Sequence, residues 1–384
     1  MSRDADDARW RDPKRLWWPL ALAVPTLPWQ AGALVHLTGV AALWWWGPFF
    51  AFVLVPLFDL VAGVDGSHPP EAAMRRLEQD RYYRWCTYLY LPLQFAALVW
   101  ACGQWAGGGL GVGGAIGLAA TTGVVAGVAI NTAHELGHKR ERLERGLSRL
   151  ALAQSGYGHF YVEHNHGHHV RVATPEDPAS SRRGESFWLF LPRTVLGSAR
   201  SAWVLERRRL RRRGRRTWSR HNDVLSAWAL SAALFGVLGA VFGPAVLPWL
   251  LLQAVCGIGL LESVNYLEHY GLLRQRRADG RYERVTPRHS WNSDNTVSNL
   301  FLFQLQRHSD HHANPLRRYQ TLRHFDEAPQ LPAGYAAMIV LAWVPPLWRR
   351  VMDPRLLAHY GGDARLTHTR PAPGPAGPLR APSR

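Results

Sequence analysis

The chain has 384 residues, with 45 Lys+Arg against 28 Asp+Glu for a net charge of +17, 47% hydrophobic residues, 18 Trp and three Cys. That apolar content excludes a disordered or collagen-like chain, and three Cys exclude a disulfide-built secreted scaffold. The mean hydropathy of −0.17 is an average over long uncharged stretches and very basic ones, which chain order separates.

Residues 1–15 form a basic N-terminal segment carrying Arg3, Arg9, Arg11, Lys14 and Arg15. Leu16 to Phe58 then has no charged residue. A membrane-spanning helix needs about 20 apolar residues, so this block fits two spans, turning at His36-Leu37-Thr38-Gly39, and predicts a hairpin over 16–62. A charged linker at 63–84 follows. Trp85 to Ile130 is again uncharged, with a glycine-rich turn between Gly103 and Gly114, and predicts a second hairpin over 85–132. Residues 133–223 are rich in His and Arg. Val224 to Leu261 is the third uncharged block, broken at Gly243-Pro244, and predicts a hairpin over 224–266. A polar, mostly helical cap is expected at 267–355 and a disordered, Pro-rich tail at 356–384. Helices buried in a large soluble protein keep a charged outer face; these blocks have none. The fold expected is an all-α integral membrane protein of six spans in three hairpins, with a His-rich catalytic cap.

The hairpin tips carry no charge, whereas the flanking segments are dense in Arg. By the positive-inside rule both termini and the His-rich cap face the cytoplasm. Trp17-Trp18 and Trp44-Trp45-Trp46 sit near span ends, where indoles favour the interface. The run from Glu206 to Arg216 lies against the fifth span, so it reads as a contact with anionic headgroups, each Arg contributing about 1 kcal/mol, and not as a nucleic-acid site. Cys86, Cys102 and Cys256 lie inside predicted spans and read as small apolar fillers.

Ten of the 18 His fall in four tight groups after spans or between them, nine of them candidate ligands and the tenth, His166, lying between two of those. These are His134-Glu135-Leu136-Gly137-His138; Glu163-His164-Asn165-His166-Gly167-His168-His169; Asn265-Tyr266-Leu267-Glu268-His269; and His308-Ser309-Asp310-His311-His312. Residues four apart share a helix face, so His134/His138, His164/His168 and His308/His312 are each chelating pairs, with His169 and His311 beside them. Nine imidazoles, counting His269, are too many for one ion and imply two metals with four or five ligands each. Imidazole suits Zn, Cu, Fe and Ni. Neighbouring acids do not face the His next to them on a helix. Glu135, Glu163, Glu268 and Asp310, with Glu262 and Asn265, are therefore expected to hydrogen-bond a His of another group and orient it. His159, His166, His289 and His324 lie near the groups, and His36, His68, His221, His359 and His368 read as interfacial or solvated.

His134 to His138 also matches HExxH, the zincin motif with Glu135 as base. A zincin needs one metal and three ligands, which leaves six clustered His unexplained. A non-catalytic metal carrier is expected to hold its ligands midway across the bilayer; here they follow the spans.

The stretches Asn131 to Lys139 (NTAHELGHK), Glu163 to Pro178 (EHNHGHHVRVATPEDP), Asn265 to Leu272 (NYLEHYGL) and Leu305 to Pro315 (LQRHSDHHANP), in this order, resemble the membrane-bound alkane 1-monooxygenases. The related xylene monooxygenases and fatty-acid desaturases share His-rich boxes, but the last two stretches favour the alkane branch. The resemblance spans about residues 15–352. It implies six transmembrane helices, a di-iron centre at the cytoplasmic side, and O2-dependent terminal hydroxylation of medium-chain n-alkanes. The ligands it carries over are His134, His138, His164, His168, His169, His269, His308, His311 and His312. No CxxC rubredoxin module follows at the C-terminus. The electron donor is then a separate rubredoxin, fed by its reductase and NADH, and an acidic one would dock on the Arg-rich face. Because a terminal methyl has no polar handle, selectivity calls for a narrow apolar channel. Gly123, Ala126 and Gly127 can line it, though close helix packing through small residues is the reading their spacing favours.

Overall fold

The structure, a computed structural model, describes residues 10–370. Among these there are helices and isolated bridges but no strand. Six helices are long and apolar enough to cross a membrane: α1 (Trp18–Thr38), α2 (Ala41–Ala62), α3 (Arg81–Ala106), α4 (Gly111–Gly137), then, after α5 (Arg142–Ala151) and α6 (Phe187–Arg212), α7 (Asp223–Phe242) and α8 (Val246–Glu268). The polar cap adds α9 (His308–Ala313), α10 (Tyr335–Ala342) and α11 (Pro345–His359). The protein is thus an all-α integral membrane protein with six spans.

Local chemistry explains the irregular stretches. α1 is wound as a 3-10 helix over Trp18–Thr26, where Pro19, Pro25 and Pro28 remove backbone donors. α2 contains a π turn at Phe50–Leu54, in which Val55 N–H bonds Phe50 O; Pro56 follows and has no N–H to return to Phe52. Asn222 caps α7, its Oδ1 accepting from the N–H of Val224 at 3.0 Å and Leu225 at 3.1 Å.

The central pair is α4 and α8. A Cβ on Gly123 would strike Cys256 and come within 3.0 Å of the Gln253 carbonyl, and one on Gly257 would meet Ala126 Cβ at 2.8 Å. Gly127 faces Leu260 in the same way. Contacts that advance together along both chains make the two helices parallel, and small residues let their backbones approach closely. Both C-termini therefore point at the same place. Polar side chains fasten the other spans: Thr121 Oγ1 donates to Trp44 O at 2.7 Å, Tyr90 Oη to Val125 O at 2.9 Å, and Gln94 Nε2 to Ala151 O at 2.9 Å. Near the end of α2, Asp59 accepts from the N–H of Val297 and Ser298, each at 2.9 Å, and so ties the cap to the spans. Cys86 and Cys102 are buried fillers, Cys256 half-buried.

The expected tail starts too early. Leu356 is fully buried, α11 runs to His359, and His368 N–H donates to Gly271 O at 2.8 Å while Arg183 N–H donates to His368 O at 2.7 Å. Residues 356–370 are held because Leu356 fills the cap core and residues 368–370 pair with the 183 strip. His368, read as solvated, is buried there. Residues 371–384, with the Pro-rich run, lie outside the described residues, as do Arg3 and Arg9.

The packing of α4 on α8 leads to a test. Gly123→Ala is expected to lower stability by about 1–3 kcal/mol through overpacking against backbone, outweighing the helix propensity it gains. Gly113→Ala, where nothing lies within 4 Å, should keep the propensity gain and be neutral to slightly stabilising. Thermal unfolding of both variants in nanodiscs decides; equal midpoints would contradict the close approach.

Candidate metal centre

The nine clustered His converge on one place under the ends of α4 and α8. They form two adjacent groups. His134, His138, His164, His169 and His311 make one, and His168, His269, His308 and His312 the other, with the ligand atoms of each group within 4.8 Å of one another. Eight of the nine are buried and His169 half-buried.

The division departs from what sequence spacing suggests. His164 and His168 do not share a group, because His164–His168 is a π turn in which His169 N–H bonds His164 O. An i→i+5 turn brings residues five apart into register, so His164 pairs with His169 and His168 faces the other way. In α9, His308 and His312 share one face, while His311 points to the five-membered group. Only His134/His138 and His308/His312 keep the helical i, i+4 pairing.

Ring nitrogens face one another at short range. His134 Nε2 lies 2.8 Å from His311 Nε2, His169 Nε2 3.0 Å from His164 Nε2, and His312 Nε2 2.9 Å from His308 Nε2. Nε2 of His138 and of His168 are buried with no hydrogen-bond partner. Burial, then the neighbouring imidazoles, pulls His138, His164, His169, His308, His311 and His312 well below the ordinary imidazole range, and His269 down to about 3. Neutral rings with converging lone pairs and orphaned nitrogens fit a pair of metal cations. The C-terminal ends of α4 and α8, where backbone carbonyls carry partial negative charge, favour cations at the same place.

The acids behave differently from expectation. Of the six expected orienting residues only Glu268 reaches a His, with Oε2 at 3.2 Å from His308 Nε2. Glu135 pairs with Lys139 Nζ at 3.0 Å and accepts from Tyr319 N–H at 3.3 Å. Glu163 holds Arg171 at 2.6 Å. Asp310 holds Arg317 at 2.8 Å and Asn314 at 2.7 Å. Glu262 accepts from Tyr157 Oη at 2.7 Å, Thr194 Oγ1 at 2.9 Å and Asn265 Nδ2 at 3.1 Å. A basic or hydroxyl partner lay nearer in each case, and these acids brace the segments that carry the His. The residue overlooked is Asp177, fully buried, whose Oδ2 lies 2.9 Å from His168 Nδ1 and accepts from Ser180 Oγ at 2.6 Å. Its place in the EDP stretch after the second box was the available signal. The carbonyl of His289 faces His269 Nδ1 at 3.3 Å. His159, His166, His289 and His324 contribute to neither group.

An apolar cavity opens beside the centre. The π turn of α2 supplies Phe50 and Phe52, α4 supplies Val124, Gly127 and Val128, and α10 supplies Ile339. Asn131, Leu261, Val264 and Leu305 are common to its lining and to that of a smaller hollow bounded by His134, His164 and His308. Gly127 thus both packs on Leu260 and lines the cavity; Gly123 and Ala126 are packing residues.

A family model described as fatty acid desaturase matches residues 110–368. An alkane 1-monooxygenase of Acinetobacter baylyi is 50% identical over 85% of this chain and 80% of its own. Alkane 1-monooxygenase 1 of Alcanivorax borkumensis is 46% identical over 96% of this chain and 91% of its own. The hydroxylase component of a xylene/toluene monooxygenase from Pseudomonas putida is 30% identical over 56% of this chain and 57% of its own.

Asp177 generates a test of the centre. Removing a carboxylate that orients a metal-binding imidazole costs about 10–100-fold in metal affinity. Asp177→Ala is expected to lose metal from the four-His group to that extent, measured by titrating iron into metal-free protein. Undiminished affinity would mean that His168 needs no orienting partner.

Proposed function

The chain belongs to the alkane 1-monooxygenases, and we propose that it hydroxylates the terminal carbon of medium-chain n-alkanes to 1-alkanols at two irons held by the nine His. The observation that carries this reading is the five-plus-four division of converging imidazoles next to an apolar cavity. His134, His138, His164, His169 and His311 would hold one iron, and His168, His269, His308 and His312 the other. Bound there, the metals supply the electron transfer and O2 activation that attack on an unactivated C–H bond requires.

The chain's own residues do the rest. Val124, Val128, Phe50, Phe52 and Ile339 hold an alkane by shape and exclude water, since nothing on an alkane can be hydrogen-bonded. The shared floor of Leu261, Val264 and Leu305 directs one end of the chain toward the His side chains. Asp177 holds His168 in orientation through Nδ1, and Glu268 lies on the metal-facing side of His308. Glu135 is occupied by Lys139 and the Tyr319 N–H, which argues against a zincin-like role as general base. Arg75, Arg84, Arg140 and Arg318, with Glu78 and Glu141 among them, line an open basin just after His138. An acidic rubredoxin docking there, with its reductase and NADH behind it, would be steered by charge. Uncharged tips on α1–α2, α3–α4 and α7–α8, against Arg-rich segments at the other end, support the inner membrane with the site facing the cytoplasm. The match to a xylene/toluene hydroxylase covers little more than half of the chain, so the aromatic branch is the second reading.

Two tests follow. Purified protein should contain about two irons per chain and, with rubredoxin, its reductase, NADH and octane, should release 1-octanol. Stoichiometric zinc without iron, or product from xylene and none from octane, would overturn the reading. Val124→Phe fills part of the cavity and should shift the preferred substrate to shorter alkanes. Each displaced methylene is worth about 1–3 kcal/mol of discrimination. An unchanged chain-length profile of kcat/KM would place the substrate elsewhere.

A further inference from the structure

Among the described residues, Phe160 is the one non-histidine ring packed against the nine His: its centroid lies 4.8 Å from that of His164, stacked, and 6.5 Å from that of His134. From Phe160 the rings continue outward without a break. Tyr157 is stacked at 6.3 Å, His159 lies 4.4 Å from Tyr157, and Trp228 lies 6.0 Å from His159. Trp203 is stacked on Trp228 at 6.5 Å and 3°, and Trp218 follows at 5.2 Å. The inner members, Tyr157, His159 and Phe160, are buried, whereas Trp218 is 76% exposed. Gly158 makes the crossing to α7 possible: its Cα presses on Ala227, where a Cβ would meet Ala227 Cβ at 2.6 Å, and the next residue on each side is His159 and Trp228.

The two redox-active side chains nearest the site have proton acceptors built in. Tyr157 Oη donates to Glu262 Oε1 at 2.7 Å, and Trp228 Nε1 donates to His159 Nδ1 at 3.4 Å. His159 Nε2 is buried with no partner, and His159 belongs to neither metal group. Neither residue pair is needed to bind an alkane or to orient a His.

We propose that Tyr157, Trp228, Trp203 and Trp218 form an electron route that drains oxidising equivalents from the metal centre to the protein surface when no alkane occupies the cavity. The inference rests on the oxygenase reading for its oxidant, the O2-derived oxidising equivalents at the centre. Tyr157 gives one electron inward past Phe160, and its phenolic proton passes to Glu262, breaking the O–H bond. Trp228 then reduces the tyrosyl radical, which takes its proton back from Glu262, while the indole proton passes to His159. Trp203 refills Trp228, which takes its proton back from His159; Trp218 refills Trp203, and a soluble thiol refills Trp218 and gives its proton to solvent. Two such electrons, with two protons taken up from solvent, reduce the oxidising equivalents to water, and two thiols become one disulfide. The side chains around the cavity are spared.

The test uses iron-loaded full-length protein in nanodiscs, treated with hydrogen peroxide without alkane or thiol, with oxidised residues mapped by peptide mass spectrometry. Trp218 should be oxidised far more than Trp188, which is also exposed, at 55%, but lies off the route. Metal-free protein should show no such preference. In Trp203→Phe, oxidation of Trp218 should fall to the metal-free level and appear at Trp228 and Tyr157, with a tyrosyl signal in the electron paramagnetic resonance spectrum. Equal oxidation of Trp218 and Trp188, or undiminished Trp218 oxidation in Trp203→Phe, would overturn the route. Release of 1-octanol by the reconstituted system, measured in parallel, should be unchanged in Trp203→Phe. Its absence from the wild-type protein would sink the oxygenase reading, while the peroxide experiment still decides the route.

Discussion

The close approach of α4 and α8 sets where every other part of the site can lie. These parallel helices meet through Gly123, Ala126, Gly127 and Gly257, and both end at the same level. One delivers His134 and His138 in its last turn and the other delivers His269 just past its last residue. In lipid there is no hydrophobic drive between apolar helices, so contact of this kind comes from packing of small residues. A metal centre spread over four chain segments needs that rigidity, since each imidazole must be held in orientation before any cation arrives.

The second condition is electrostatic. His138, His164, His169, His269, His308, His311 and His312 are kept neutral by burial and by neighbouring rings, so they are ready to bind a cation without first losing protons. The charges that do occur nearby are paired off at the edges: Glu135 with Lys139, Glu163 with Arg171, Asp310 with Arg317. Each pair is local and neutralises an acid within its own His-bearing segment. With these three carboxylates turned away, the lining of the centre is mostly nitrogen and the adjoining cavity apolar.

Much of this was legible in the sequence, for physical reasons. Uncharged blocks long enough for two helices each announce spans, because a charge in hydrocarbon is costly. The nine His stand out because imidazoles in tight groups chelate. The division of the nine was not legible. It turns on the π turn over 164–168, one residue of extra winding that no spacing rule reports. Asp177 was missed because it reaches His168 from a loop, outside helical periodicity. The acids beside the His were misread because Glu135, Glu163 and Asp310 each have a Lys or Arg four to eight residues on, and Glu262 takes its hydroxyl partners from segments far along the chain. Residues 356–370 looked like tail because their order comes from pairing with residue 183 and Gly271, a contact that composition does not reveal.

The π turn in the second His group has a consequence for how this segment can change over time. Loss of one residue among Asn165, His166 and Gly167 would set His169 four residues after His164, where ordinary winding again puts the two on one face. Relaxation of the turn at its present length is what would break the division, because His168 would then take the place of His169 beside His164. Gly167 is held by space as well, since a Cβ there would lie 2.5 Å from Glu163 Oε1. In comparing related chains, five steps wound as a π turn and four wound as an α turn are therefore equivalent ways of pairing these two imidazoles.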